Sequence, residues 1–279
     1  MLHFGLLGHP VAHSLSPVMH EASFRALRLE ADYRCFDVTS DQLAERIRRC
    51  RDEGFLGLNV TVPHKRAAFE LMDAYDLSAQ RLGVVNTIRF DPDGTMTGFN
   101  TDASGFLADL RAQFSLMPMG KRILVIGCGG AGRAIAIACA LGGCARLALA
   151  NRTVEKAETV AREIAVLSEA AGERTGVLPS DQTAWIDAAR EVDLVVQCTT
   201  AGLAEGDAPV LPAEAFRRGQ FLYDLVYTQS ETPTMRAARA GGAWAVNGLG
   251  MLVHQGAASF RIWTGREANL AAMRMAVEG

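Results

Sequence analysis

"RILVIGCGGAG", Arg122 to Gly132, decides the fold. Four apolar residues, Ile123 to Ile126, read as a buried strand, and the Ala/Ile-rich run after Gly132 reads as a helix. Between them Gly127, Gly129 and Gly132 stand in G-x-G-x-x-G order. The first glycine permits a tight turn, the second lets the backbone approach a pyrophosphate, and the third lets helix and strand pack closely while the helix dipole faces the phosphates. The spacing alone is common. Its position between a strand and a helix favours a dinucleotide site over a merely structural Gly-rich turn, and that reading assigns Gly127, Gly129, Gly130, Ala131 and Gly132 to the cofactor.

Downstream, "RLALA" is the next strand, and it ends in Asn151, Arg152 and Thr153. An NAD site usually has an acidic residue there to accept from the ribose 2′-hydroxyl, and none is present. An Arg can instead pair its planar fork with a 2′-phosphate, so the segment favours NADP over NAD. The plainer alternative is that "NRT" only caps a surface helix. Alternating strands and helices continue through "VDLVVQCT" and "FLYDLVY".

Upstream, "HFGLLG", Pro17 to Leu27, "YRCFDV", Leu43 to Arg51, "GLNVTV" and Arg66 to Met72 alternate in the same way, which predicts a second α/β unit with a parallel sheet. A new helix starts at "NTDASGFLADLRAQF" behind Asp102, a good N-cap residue. The expectation is an α/β fold of two domains. Residues 1–101 plus 253–279 bind substrate, and residues 102–252 form a Rossmann-type dinucleotide-binding domain. The tail from Val253 packs as a helix.

Bulk properties exclude several function classes. With 28 Lys and Arg against 31 Asp and Glu, the net charge of −3 supplies no basic field for nucleic acid or a membrane surface. "MLHFGLLGHP" lacks a basic leader, and the apolar stretch from Ala134 to Ala150 is broken by Gly142, Gly143 and Arg146, so a cytoplasmic chain without a membrane span is expected. The six cysteines form no CxxC pair and read as reduced, buried thiols. Pro10 and Pro17 separate His9, His13 and His20, which read as loop and cap residues with no metal.

One segment contradicts helix electrostatics. "NVTVPHKR", Asn59 to Arg66, runs from a strand into a helix and places His64, Lys65 and Arg66 at the positive end of the helix dipole. Alternation sends Asn59 and Thr61 to one face and Val60 and Val62 to the other, while Pro63 suits a first helical turn. Lys65 then lies near the carboxyl end of a strand, where open α/β sheets bind ligands. Asn86 interrupts "VVNTI", and Ser14 and Ser16 stand ahead of another helix. Each has a plain alternative: Ser16 a cap, Asn86 an edge-strand residue, Lys65 a solvated lysine. Together they suit a small ligand with several hydroxyls.

"HSLSP", "NVTVPHK", "VVNTI", "GFNTD", "GCGGAGRA", "NRT" and "HQGAASF", in that order, resemble the shikimate dehydrogenase family over nearly the whole chain. The resemblance implies NADP-dependent interconversion of shikimate and 3-dehydroshikimate on the route to chorismate and the aromatic amino acids. It assigns Ser14, Ser16, Asn59, Thr61, Lys65, Asn86, Asp102 and Gln255 to substrate, and Lys65 with Asp102 to catalysis. Such a protein works on a small molecule as a monomer or homodimer, without nucleic acid or membrane. Lys65 is then misplaced for helix stability because hydride transfer to a ketone needs a positioned proton donor. His64 and Arg66 read as solvent-facing. The pattern departs from the family at Gln229, where a proline often follows the tyrosine corresponding to Tyr227, and after the threonine pair of "TTAGL", where the family lines the nicotinamide pocket. Two other readings stay open: a quinate or quinate/shikimate dehydrogenase, and a catalytically silent ligand sensor on the same scaffold.

Overall fold

The computed structural model describes residues 1–204 and 206–278. It divides into two compact α/β units: Met1–Gly105 with the chain from Leu252 onward, and Phe106–Met251.

The first unit runs β1 (Leu2–Gly8), α1 (Ser16–Ala26), β2 (Ala31–Asp37), α2 (Leu43–Asp52), β3 (Phe55–Val60), α3 (Lys65–Glu70), β4 (Ala74–Tyr75), α4 (Leu77–Leu82), β5 (Thr87–Phe90) and β6 (Met96–Phe99). Its sheet has the order β2-β1-β3-β5-β6-β4. The expected parallel sheet is in fact mixed, because β5 runs antiparallel to both β3 and β6. The β5–β6 pairing follows from the turn Asp91-Pro92-Asp93-Gly94, where Gly94 adopts φ +89° and its N–H donates to the Asp91 carbonyl at 2.9 Å, closing a hairpin. Strand alternation then sorts two layers. Leu7, Leu58, Val60 and Ile88 pack with Ile47 of α2, and Phe4, Leu6, Met19, Phe24 and Tyr33 pack with Phe260 and Trp263.

α5 (Asp102–Phe114) leads into the second unit: β7 (Arg122–Ile126), α6 (Gly130–Leu141), β8 (Arg146–Ala150), α7 (Val154–Leu167), α8 (Glu169–Glu173), β9 (Thr175–Val177), α9 (Gln182–Glu191), β10 (Leu194–Gln197), β11 (Phe221–Asp224), α10 (Pro233–Ala240) and β12 (Trp244–Asn247). Every pair in its sheet is parallel, in the order β12-β11-β10-β7-β8-β9. That is the doubly wound dinucleotide-binding order, with its switch point between β7 and β10. The chain ends as α11 (Leu249–Thr264) and α12 (Leu270–Glu278), two helices rather than the expected one, broken at Gly265 with φ +66°.

Several local expectations change. β3 stops at Val60, so Val62 is 68% exposed in a turn and does not join the apolar layer. Pro63 lies in that turn ahead of α3, behind the N-cap residue His64. Asp102 is the first residue of α5 rather than its cap, because the Thr101 carbonyl already accepts from Gly105 N–H at 2.9 Å. His64 is buried, not solvent-facing: the Val38 carbonyl can only accept, so His64 Nε2 donates to it at 2.7 Å. Arg66 is exposed and pairs loosely with Glu70. The six cysteines are free, but Cys35 is exposed and Cys198 half-buried. Among the described residues no helix is long and apolar enough to cross a membrane, and no group of three His, Cys, Asp or Glu side chains could hold a metal ion.

His20 is neither loop nor cap. It lies inside α1, fully buried, stacked on Tyr33 with ring centroids 4.5 Å apart and planes 7° apart. Burial pushes its pKa down to about 3, with the Asn59 side chain pulling the other way. Its folded pKa is thus below the unfolded value, so the unfolded chain takes up a proton that the folded one refuses. The associated stability is complete above about pH 6.5 and falls as pH drops toward 3. Urea unfolding between pH 6 and 4 should show His20→Leu with a shallower loss of stability than the parent, by up to about 1.4 kcal/mol per pH unit. Equal slopes would mean that His20 titrates normally in the fold.

Candidate active site

The glycine turn is built as its spacing requires. Gly127 has φ +99°, and a Cβ on Gly132 would lie 1.8 Å from the Gly127 carbonyl oxygen, so only glycine lets α6 close on β7. A Cβ on Gly129 or Gly130 would meet nothing within 4 Å. Both are exposed at the start of α6, with Gly129 as its N-cap and Ala131 half-buried behind them. Open backbone in front of a helix N-terminus fits a pyrophosphate.

Asn151 joins this turn to the next loop. Its Oδ1 accepts from Cys128 N–H at 2.9 Å and its Nδ2 donates to the Thr153 carbonyl at 2.7 Å. Thr153 is the N-cap of α7, but its side chain makes no capping bond, so "NRT" is not simply a helix cap. Arg152 is exposed beside it. Arg133 reaches away to Glu163 at 2.6 Å and clamps α6 on α7.

In the first unit a polar cluster occupies the edge of the sheet where β3 and β6 end and β5 begins. Lys65 Nζ donates to Asp102 Oδ2 at 2.6 Å, with Asp102 buried and Lys65 about one-fifth exposed. Asn86 Nδ2 donates to Asp102 Oδ1 at 2.9 Å. The orientation of that amide is forced, because the Thr101 N–H can only donate and it meets Asn86 Oδ1 at 2.8 Å. Asn86 is no edge-strand residue, since it precedes an interior strand. The Lys65 carbonyl accepts from Val85 N–H at 2.9 Å, which ties α3 to the same edge. Gln255 Oε1 approaches the Thr101 hydroxyl at 3.4 Å.

Beneath this layer lie residues that the sequence reading missed. Ser259 Oγ sits 2.8 Å from Thr87 Oγ1 and 3.3 Å from Thr101 Oγ1. Asn59 is buried there: its Nδ2 donates to Ser259 Oγ, Thr87 Oγ1 and the Asn86 carbonyl, and its Oδ1 accepts from Tyr33 O–H at 2.8 Å. Its side chain is therefore engaged by protein at every polar atom. Burial raises the Tyr33 phenol well above its usual pKa, which keeps it a donor. Thr87 shares "VVNTI" with Asn86, and a polar run inside a strand was the available signal. Ser259 and Tyr33 gave none.

Ser14 and Ser16 stand at the head of α1, where Ser14 Oγ accepts from Ser16 N–H at 3.2 Å. Ser16 is the first helical residue rather than the cap. Thr61 leaves β3 beside β1, with its N–H on the Leu7 carbonyl at 2.8 Å. The serine loop and the Thr61–Lys65 segment thus leave the carboxyl ends of adjacent parallel strands. In the second unit, Tyr227 is half-buried and burial pushes its phenol pKa up. Gln229 donates from Nε2 to the Gly202 carbonyl at 2.9 Å, so the departure from the family pattern is filled by a loop-to-loop bond.

A doubly wound sheet with an open glycine turn in one unit, and a buried lysine–carboxylate pair in the other α/β unit, define a nicotinamide-dependent dehydrogenase. Family models for the shikimate dehydrogenase substrate-binding domain, shikimate/quinate 5-dehydrogenase and the shikimate 5′-dehydrogenase C-terminal domain match residues 6–88, 111–204 and 248–278. The chain belongs to the shikimate dehydrogenase family. It is 42% identical over 275 residues to the NADP(+) shikimate dehydrogenase of Methanopyrus kandleri, covering 98% of this chain and 93% of that one. It is 44% identical over 269 residues to that of Moorella thermoacetica, covering 96% and 90%. Among solved structures, Thermus thermophilus shikimate 5-dehydrogenase in complex with NADP(H) and shikimate superposes with a TM-score of 0.88 at 39% identity, covering 100% of this chain and 99% of that one. Corynebacterium glutamicum quinate dehydrogenase in complex with NAD gives 0.90 at 30% identity, covering 99% and 98%.

The glycines allow a contrast. Gly129→Ala should leave the melting temperature unchanged, since its Cβ meets open space and φ is −76°, yet raise the dissociation constant of NADP tenfold or more. Gly132→Ala should instead lower the melting temperature, because its Cβ overlaps the Gly127 carbonyl. Thermal melts and calorimetric titration of both variants check this; undiminished NADP binding by Gly129→Ala would remove the pyrophosphate from the turn.

Proposed function

We propose that the protein is an NADP-dependent shikimate dehydrogenase that reversibly reduces 3-dehydroshikimate to shikimate. The observation that carries this is the 2.6 Å contact between Lys65 Nζ and Asp102 Oδ2 inside a polar cluster at a sheet edge. NADPH, when bound, supplies the hydride. The turn from Gly127 to Gly132, Gly130 and Ala131 included, holds the pyrophosphate, and Arg152 pairs with the 2′-phosphate. Asn151 and Thr153 shape the loop that presents Arg152.

In the reduction, Lys65 Nζ gives a proton to the carbonyl oxygen as that oxygen gains charge, and in the oxidation it takes the proton back. Asp102 holds Lys65 through Oδ2 and accepts a substrate hydroxyl with its remaining lone pairs. Thr61, Asn86 and Gln255 add contacts to ring hydroxyls. Ser14 and Ser16, two hydroxyl donors at a helix head, suit the substrate carboxylate. Asn59 supports the cluster from below, where Tyr33, Thr87 and Ser259 surround its amide. The unit with residues 1–105 and 252 onward takes substrate, and the other unit takes NADP. The free cysteines fit a reducing cytoplasm, where the protein works as a monomer or homodimer.

NADPH absorbance with shikimate and quinate offered in parallel tests the assignment. Oxidation of shikimate far faster than quinate supports it, equal rates would make the protein a quinate/shikimate dehydrogenase, and no turnover of either would leave a ligand sensor. Lys65→Met should lower turnover by roughly 10²–10⁴ while the protein stays folded and the KM for shikimate changes little. A variant with near-parental turnover would return Lys65 to the class of solvated lysines. Arg152→Ala should raise the KM for NADP about tenfold or more, the scale of a hydrogen bond to a charged group, and leave the KM for NAD unchanged. Equal use of both cofactors by the parent protein would end the 2′-phosphate assignment.

A further inference from the structure

Asp224 is a fully buried carboxylate at the carboxyl end of β11, and nothing in hydride or proton transfer uses it. Three donors converge on it. Thr232 Oγ1 donates to Oδ2 at 2.6 Å, while Val226 N–H and Gln197 Nε2 donate to Oδ1 at 3.1 and 3.3 Å. Gln197, buried at the end of β10, also donates from Nε2 to the Ala201 carbonyl at 3.0 Å, and its Oε1 accepts from Thr199 N–H. Thr232 is the N-cap of α10 and accepts from Met235 N–H at 3.1 Å. One carboxylate therefore holds the start of the loop after β10 and both ends of the loop after β11. The two loops also meet directly, through Gln229 Nε2 on the Gly202 carbonyl.

The location gives this clasp a meaning. In a doubly wound sheet the two halves of a dinucleotide lie on either side of the switch point, beyond the carboxyl ends of the strands. Here β7 and β8 carry the glycine turn and the Asn151–Thr153 loop, which serve the adenosine half. β10 and β11, across the switch point, remain for the nicotinamide half. Burial pushes the Asp224 pKa up to about 6 even with its three hydrogen bonds acting in the other direction. An apolar side chain would fill the same volume without that penalty, but it could not gather three donors.

We propose that Asp224 is a positioning residue for the nicotinamide half of the cofactor site: by clasping the loops after β10 and β11 it orders that half, and the adenosine half does not depend on it. The inference rests on the NADP reading above. An asparagine offers one acceptor oxygen and turns an NH₂ toward at least one of the donors, so Asp224→Asn loosens the clasp at nearly constant volume.

The test compares a whole cofactor with half of one. NADPH and adenosine 2′,5′-bisphosphate are titrated by calorimetry into the full-length parent and Asp224→Asn, with thermal melts and steady-state rates alongside. The expected result is a loss of NADPH affinity of tenfold or more, with bisphosphate affinity within twofold of the parent and a lower kcat for shikimate oxidation. Thr232→Val should behave in the same way, while Thr232→Ser, which keeps the hydroxyl on Asp224, restores NADPH affinity; this pair carries the test if Asp224→Asn does not fold. Equal losses for both ligands would make the cluster a general stabiliser of the unit and overturn the proposal, as would NADPH affinity unchanged in both variants. A parent protein that binds NADPH but not the bisphosphate would overturn the placement of the adenosine half at Arg152, and this inference with it.

Discussion

The Thr101 N–H on Asn86 Oδ1, at 2.8 Å, is the constraint on which the buried lysine–carboxylate pair depends. A backbone N–H cannot reverse its role, so the amide is fixed with Nδ2 toward Asp102. Asp102 Oδ1 is thereby occupied, and Oδ2 is left for Lys65. Rotate that amide and Thr101 loses its acceptor while a carbonyl oxygen faces a carboxylate, two penalties of about 1–3 kcal/mol each in a buried site. The lysine's geometry is thus set by a main-chain group three hydrogen bonds away.

The same layer explains why three basic residues begin a helix. Two of them answer to something stronger than the helix dipole, which is worth about 0.3–1 kcal/mol. His64 is an internal strut whose ring donates to the Val38 carbonyl. Lys65 meets a buried carboxylate at 2.6 Å, and α3 has only six residues over which a dipole could build. Arg66 alone is solvated, with Glu70 at 3.4 Å contributing little.

What could be read from the sequence followed periodicity and spacing. β7, β8, β10 and β11 and the glycine turn were legible because buried parallel strands are continuous apolar runs and the turn has a fixed spacing. β5 and β6 were not read as a hairpin, although Asp93-Gly94 between two strands is a hairpin signal. Lys65, Asn86 and Asp102 stood out because polar groups at strand ends break an apolar pattern. His64 and His20 were misjudged because burial of a histidine depends on the layer packed over it, which lies far away in sequence. Ser259 was invisible for that reason too: a serine inside an amphipathic helix looks the same whether it faces water or Thr87.

That distance in sequence also accounts for the chain's return to its first unit. Without α11, Asn59 and Thr87 would each lose the Ser259 hydroxyl from their hydrogen-bond partners, and the Ile88 carbonyl would lose the Trp263 N–H that reaches it at 2.9 Å. Each unsatisfied group in such a site costs about 1–3 kcal/mol, comparable with a sizeable part of a domain's net stability. Ser259 answers both side chains, at 3.0 Å from Asn59 Nδ2 and 2.8 Å from Thr87 Oγ1, and the same helix brings Gln255 to the Thr101 hydroxyl. A polar cluster built at a sheet edge thus needs a cover that is itself partly polar. The helix that supplies the cover completes the fold and the candidate site in one step, so neither can be altered there without the other.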